Sequence, residues 1–208
     1  MEALFEGNKK WSEKLKNQDP DFFINLAKEQ NPEYLWIGCS DSRVPANQLV
    51  GMPPGSIFVH RNISNVVVPS DDNLLSVVYY AVKYLKVKRI LVVGHYGCGG
   101  VGAAISDRSF GILDSWLTSI KWVANKYKKE LEPITDQNAK INKLVEFNAI
   151  EQARNLAHIP FIQERWKAGE DLHIHPLVYS LEDGKLIDLG ISFEKQSDID
   201  PMFVINHF

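Results

Sequence analysis

A chain of 208 residues, 45% hydrophobic and 24% charged, can hold one sizeable α/β domain and does not require two. Its formal net charge of -3 gives no reason to expect nucleic acid or an anionic membrane surface as partner, and no apolar run approaches the ~20 residues needed to span a bilayer. Met1 to Glu6 has neither the basic start nor the apolar core of a signal peptide. With only two cysteines, the expected setting is a reducing, cytoplasmic one in which both thiols stay available for a metal.

In chain order, residues 1–32 read as a helical arm, 33–193 as the core and 194–208 as a tail. The arm carries a sparse stripe of Leu4, Trp11 and Leu15, too narrow for a core helix and suited to a surface helix or to packing on a second subunit. Asp19-Pro20 reads as an N-cap with proline at the first helical position, followed by a helix on Phe22, Phe23, Leu26 and Ala27. Tyr34 to Ile37 and Arg89 to Val93 are apolar runs of strand length, ended by Gly38 and Gly94, and read as buried parallel strands. Between them, Pro45 opens a helical turn, Ser56 to Arg61 reads as a strand, and Asp71-Asp72 cap a helix on Leu74, Leu75, Val78, Ala81, Val82 and Leu85. Downstream, helices are predicted over Phe110 to Lys129, Ala139 to His158 and Pro160 to Gly169. The final strands are predicted over Leu172 to Ser180 and Leu186 to Phe193, joined by a turn short enough to make them antiparallel. The tail residues Met202 to Ile205 are too apolar to hang free.

Both cysteines fall just past a predicted parallel strand. Cys39 is followed by Asp41 and Arg43, and His95 is followed by Cys98. Chemistry in an open parallel sheet collects beyond the carboxyl ends of its strands, so the two loops would share one crevice. Two thiolates and an imidazole form a zinc ligand set with a fourth position left for water. Singly, each residue has a blander reading: cysteine is a common core residue, and Asp41 and Arg43 could cap a turn or pair with each other. Two other chemistries fit part of the pattern. In one, Cys39 is a hydrolase nucleophile with His95 as base and Asp41 as orienter, which leaves Cys98 unexplained. In the other, the metal is purely structural and Asp41 closes the site. Gly97 to Gly102 also matches the dinucleotide fingerprint, but the acidic residue at the required distance, Asp114, sits in a helical stretch, so steric freedom for the backbone is the better reason for these glycines. His173 and His175 share one strand face and read as structural, and His60 ends a strand near the same crevice.

Cys-x-Asp-x-Arg followed by His-x-x-Cys, together with Gly55, His60-Arg61-Asn62, Asn65 and Gly97-Cys98-Gly99-Gly100, resembles the β-class carbonic anhydrases from about Trp36 to Gly190. The resemblance implies an α/β fold with a mainly parallel sheet, an antiparallel edge strand and flanking helices. It also implies assembly as a homodimer or homotetramer, and reversible hydration of CO2 to bicarbonate by attack of zinc-bound hydroxide, with one zinc per chain. Carried over, it makes Cys39, His95 and Cys98 the zinc ligands, Asp41 and Arg43 a catalytic dyad, and the Gly99 amide a support for a bicarbonate oxygen. In the subgroup with tryptophan at position 36, Trp36, Arg61 and Tyr179 would bind a non-catalytic bicarbonate. That binding would favour a closed state in which Asp41 leaves Arg43 for the fourth zinc position.

Overall fold

The computed structural model describes residues 1–208. Four parallel strands, β1 (Tyr34–Cys39), β2 (Ile57–Asn62), β3 (Arg89–His95) and β4 (His173–Tyr179), are joined by an antiparallel edge strand, β5 (Leu186–Asp188), in the order β2-β1-β3-β4-β5. The register sets Cys39 opposite Asn62 on β2, and His95 opposite Tyr179 on β4. The carboxyl ends of β1 and β3 are therefore adjacent, and the loops that follow them meet.

Alternation along the strands sends the two faces of the sheet to different environments. Leu35, Ile37, Ile90, Val92 and Ile174 pack beneath α4 (Asp72–Tyr79), α8 (Gln137–Ala157) and α9 (Pro160–Lys167). Near the strand ends the same face continues into a second cluster, built on Val178, Val101 of α5 (Gly99–Ala104), Leu117 and Ile120 of α6 (Leu113–Lys126), and Leu144 and Val145 of α8. The opposite face buries only Trp36, Val44, Ala46, Val93 and Leu177 beside the short helix α3 (Ala46–Leu49), and leaves Val59 and Leu186 exposed. Asp71 caps α4 as predicted, its carboxylate accepting from the Asn73 and Leu74 amides.

The arm is α1 (Glu2–Gln18) and α2 (Phe22–Leu26). No α1 residue is buried. Leu4 and Phe5 are 68% and 69% exposed, and Trp11 meets only the edge of Phe23 at 5.7 Å. The tail lies down along α9, with Ile199 buried, Phe203 stacked on His158 and the Phe203 carbonyl accepting from Gln163.

Several expectations change in detail. Asp19 does not cap a helix that Pro20 begins: its carboxylate turns the chain by accepting the Asp21 amide, and α2 starts at Phe22. The last strand stops at Asp188, because Gly190 turns at φ 69, and Phe193 returns as a separate bridge to Ile174. The long helix predicted from Phe110 starts at Leu113, and Tyr127 divides it from α7 (Lys128–Leu131). The glycine run, where no helix is predicted, contains α5, and α4 continues into a π-helical turn over Tyr80–Tyr84.

Gly38 marks how tightly the less-covered face is packed. A Cβ there would lie 2.3 Å from Nε1 and 2.9 Å from Cδ1 of the fully buried Trp36. Gly38→Ala should therefore displace the indole and lower stability by about 1–3 kcal/mol. Urea unfolding followed by circular dichroism measures this, with a lowered midpoint as the expected result.

Candidate active site

Three side chains from two loops converge at the carboxyl end of the sheet. Cys39 ends β1, His95 ends β3, and Cys98 caps α5 across the turn that Gly97 makes at φ 66. Their ligand atoms all lie within 4.8 Å of one another, and all three residues are buried. The sulfurs are 4.0 Å apart, within hydrogen-bonding reach and not joined as a disulfide. Two thiolates each ~2.3 Å from a tetrahedral zinc sit about 3.8 Å apart, so the pair already has the spacing that the metal needs. The imidazole is set for the same task. Its Nδ1 lies 3.0 Å from the Tyr96 carbonyl, which can only accept, so Nδ1 carries the proton and Nε2 is left with a lone pair, buried and without a hydrogen-bond partner. An orphaned acceptor beside two thiols is costly as it stands and is satisfied by a cation. The residues present fit zinc.

Without metal the thiols share a proton unevenly. The hydrogen bond from Cys39 draws the Cys98 pKa down to about 6, with burial opposing and the Ser64 hydroxyl and the Val101 and Gly100 amides assisting. The same bond to Cys98, together with burial, pushes Cys39 up to about 12. Burial acts to lower the His95 pKa, but interaction with Cys39 outweighs it and the net shift is upward. The hydrolase reading lacks its orienter: Asp41 cannot hold the ring through Nδ1, since Tyr96 occupies that nitrogen and Asp41 sits 3.7 Å from Nε2.

Asp41 stands beside the trio and outside it. Its carboxylate takes the Arg43 amide and Nε at 2.9 Å on one oxygen and a guanidinium nitrogen at 2.7 Å on the other. Those Arg43 hydrogen bonds hold its pKa well below the usual carboxylate range. With Asp41 bound to Arg43, Cys39, His95 and Cys98 face one another and this carboxylate stands apart from them, unlike the closed four-residue site weighed from sequence. A cleft of about 440 Å³ opens onto Cys98 and Gly99, bounded by Arg43, Ile141, Asn142 and Leu181. Gly99 begins α5, so its amide belongs to the first turn, whose N–H groups have no helical acceptor.

The remaining predicted residues fall in two places. Trp36 and Tyr179 contribute to the same apolar cluster on the less-covered face. Arg61 lies opposite Gly38 on the neighbouring strand, and its guanidinium donates to the carbonyls of Cys39 (2.8 Å) and Asp41. His173 sits at the far end of β4 between Asp171 (3.0 Å) and Glu194 (3.3 Å), as a structural group should.

The loop after β2 supplies contacts that sequence reasoning did not find. The Ser64 amide donates to Cys39 Sγ at 3.4 Å, and its hydroxyl lies 3.3 Å from Cys98 Sγ. From α8, Asn142 accepts the Gly97 amide at 2.9 Å and Glu146 accepts the Tyr96 hydroxyl at 2.8 Å, pinning the His95 loop. None of these roles has a sequence signal, since the partners are 25 to 50 positions away.

Comparison with known proteins agrees with this geometry. The carbonic anhydrase family model matches residues 34–186. A carbonic anhydrase of Emericella nidulans is 47% identical over 192 residues, covering 92% of this chain and 84% of that one. One of Candida albicans is 33% identical, covering 96% and 71%. Among solved structures, a tetrameric β-carbonic anhydrase of Sordaria macrospora superposes with a TM-score of 0.88 at 39% identity, covering 92% of this chain and 98% of that one. The Coccomyxa β-carbonic anhydrase superposes with a TM-score of 0.90 at 35% identity, covering 94% and 89%.

Proposed function

The chain belongs to the β-class carbonic anhydrases, and we propose that it hydrates CO2 reversibly to bicarbonate and a proton at one zinc held by Cys39, His95 and Cys98. The observation that carries this reading is the buried trio, pre-spaced for zinc, beside a carboxylate that an arginine holds out of the fourth position. Zinc bound there would act as a Lewis acid that lowers the pKa of a coordinated water from 15.7 toward ~7. The protein's own contributions are orientation and charge placement. Asp41, kept ionised and aimed by Arg43, accepts the hydrogen bond of the attacking hydroxyl and fixes which lone pair faces the carbon. The Gly99 amide donates to an oxygen of the product. Ile141 and Leu181 give the cleft apolar walls suited to a small apolar substrate. Unpaired thiols as ligands suit a reducing, cytosol-like compartment.

Metal analysis should find about one zinc per chain, and stopped-flow CO2 hydration should be rapid. Asp41→Asn should keep the zinc and lose most turnover, tenfold or more, because an amide cannot hold Arg43 in the same way or direct the hydroxyl. Normal turnover in that variant would take Asp41 out of the mechanism. Protein that is active with no metal bound would take out zinc.

We also propose that Trp36, Arg61 and Tyr179 form a non-catalytic bicarbonate site that inhibits. Support comes from what Arg61 holds. An anion that drew its guanidinium away would release the carbonyls of Cys39 and Asp41 and loosen the loop that keeps Asp41 on Arg43. Inhibition then requires bicarbonate to bind the loosened state more tightly than the other. Hydration rates against pH should fall steeply on the acid side, further with added bicarbonate, and Trp36→Ala should relieve the added inhibition. An identical bicarbonate response in the variant would refute the site.

The arm completes the proposal. An α1 that fully buries no residue of its apolar stripe within its own chain suits a contact with a second copy in a dimer or tetramer, in keeping with the tetrameric relative from Sordaria. Deleting residues 1–17 should shift sedimentation toward smaller species. An unchanged profile would make the helix a plain surface element.

A further inference from the structure

The segment after β2 bends in a way its sequence does not advertise. Ser64 adopts φ 64, ψ 30 and Asn65 φ 48, left-handed conformations uncommon outside glycine. Ser64 is fully buried, so solvent exposure does not explain the bend. The surroundings over-determine it. Asn62 closes a side-chain clamp on both the amide (2.8 Å) and carbonyl (2.7 Å) of Val66. Trp116 donates to the Ile63 carbonyl at 2.9 Å, and Asn148 to the Ser64 carbonyl at 3.0 Å. Asn148 is itself fixed by Gln152, which accepts the Val67 amide at 2.8 Å. Backbone strain held by so many partners collects at functional sites. Here it turns both donors of one residue toward the two sulfurs, the amide to Cys39 and the hydroxyl to Cys98.

We infer that Ser64 is a positioning residue for the metal centre, whose hydroxyl donates to the Cys98 thiolate, fixes its direction and draws charge from it. The inference rests on zinc being held by Cys39, His95 and Cys98. A hydroxyl can donate or accept, but a metal-bound thiolate can only accept, so the Ser64 proton goes to sulfur. Gly100 is part of the same arrangement. A Cβ there would lie 2.2 Å from Ser64 Oγ, so the hydroxyl occupies the space that any larger residue at position 100 would fill. The glycine run after Cys98 thereby acquires a definite purpose at one of its positions.

The test uses two variants that separate the hydroxyl from the bend. Ser64→Ala removes the hydroxyl and keeps a Cβ at positive φ, whereas Ser64→Gly removes it and relieves the backbone. Zinc affinity is measured by competition with a chromophoric chelator, and the sulfur-to-metal charge-transfer band is recorded on the cobalt-exchanged protein, with circular dichroism to establish folding. Both variants should bind zinc about 10–100-fold more weakly than wild type, and both bands should move to longer wavelength, since a thiolate without its donor is richer in charge. Ser64→Gly with wild-type affinity and an unshifted band overturns the inference and leaves the bend as the residue's whole purpose. Wild-type protein that takes up no zinc fails at an earlier point and overturns the zinc reading, and this inference with it.

Discussion

Two sulfurs held 4.0 Å apart in a buried crevice, without a disulfide between them, are the constraint to which the rest of this structure answers. Burying two thiols and the unpartnered nitrogen of an imidazole is unfavourable unless something neutralises them together. The fold meets that demand by geometry. Parallel pairing of β1 with β3 makes the two ligand loops neighbours, and the 59 positions between the cysteines are spent on the β2–α4 excursion that returns the chain in parallel. Each of the three is then fixed from behind: Cys39 through the Arg61 hydrogen bond to its carbonyl, His95 by the Tyr96 carbonyl, and Cys98 by its position at the start of α5.

Asp41 belongs to the same scheme by exclusion. A carboxylate 3.7 Å from the imidazole nitrogen would be a natural fourth ligand. Three hydrogen bonds from Arg43 keep it from becoming one in this conformation. Because Arg43 is only two residues away, the restraint is local and depends on the shape of a single turn. Arg61 donates to the carbonyl at the start of that turn as well as to that of Cys39, so one residue of β2 touches both the end of β1 and Asp41.

Much of this was legible because it rests on patterns that physics makes repetitive. Buried parallel strands are continuous apolar runs, so Tyr34 to Ile37 and Arg89 to Val93 announced themselves, and the loops after them inherited their positions. What escaped notice lacks such a pattern. Serine carries no signal for positive φ, so Ser64 passed as an ordinary residue between two motifs. The helix α5 hid in a glycine-rich stretch of poor helix propensity, where a cap and packing against α6 and α8 decide the outcome. Arg61 is legible as a cation closing β2, but its backbone partners are not, because a side chain reaching carbonyls 20 and 22 residues earlier leaves no trace in sequence spacing. The last strand was drawn too long for a simpler reason: alternation continues past Asp188, and only the turn at Gly190 ends it.

The contact between Ser64 and Gly100 has a consequence for how such a chain can change over time. The hydroxyl, with the Ile63 side chain beside it, fills the volume above Gly100, so position 100 cannot accept a larger side chain while both stay as they are. A lineage that enlarged residue 100 would first have to shrink residue 64 and shift the Ile63 side chain, surrendering the hydroxyl on its way. The loop after β2 and the loop after β3 are thus linked in one direction: the first can lose bulk alone, whereas the second can gain it only after the first has changed.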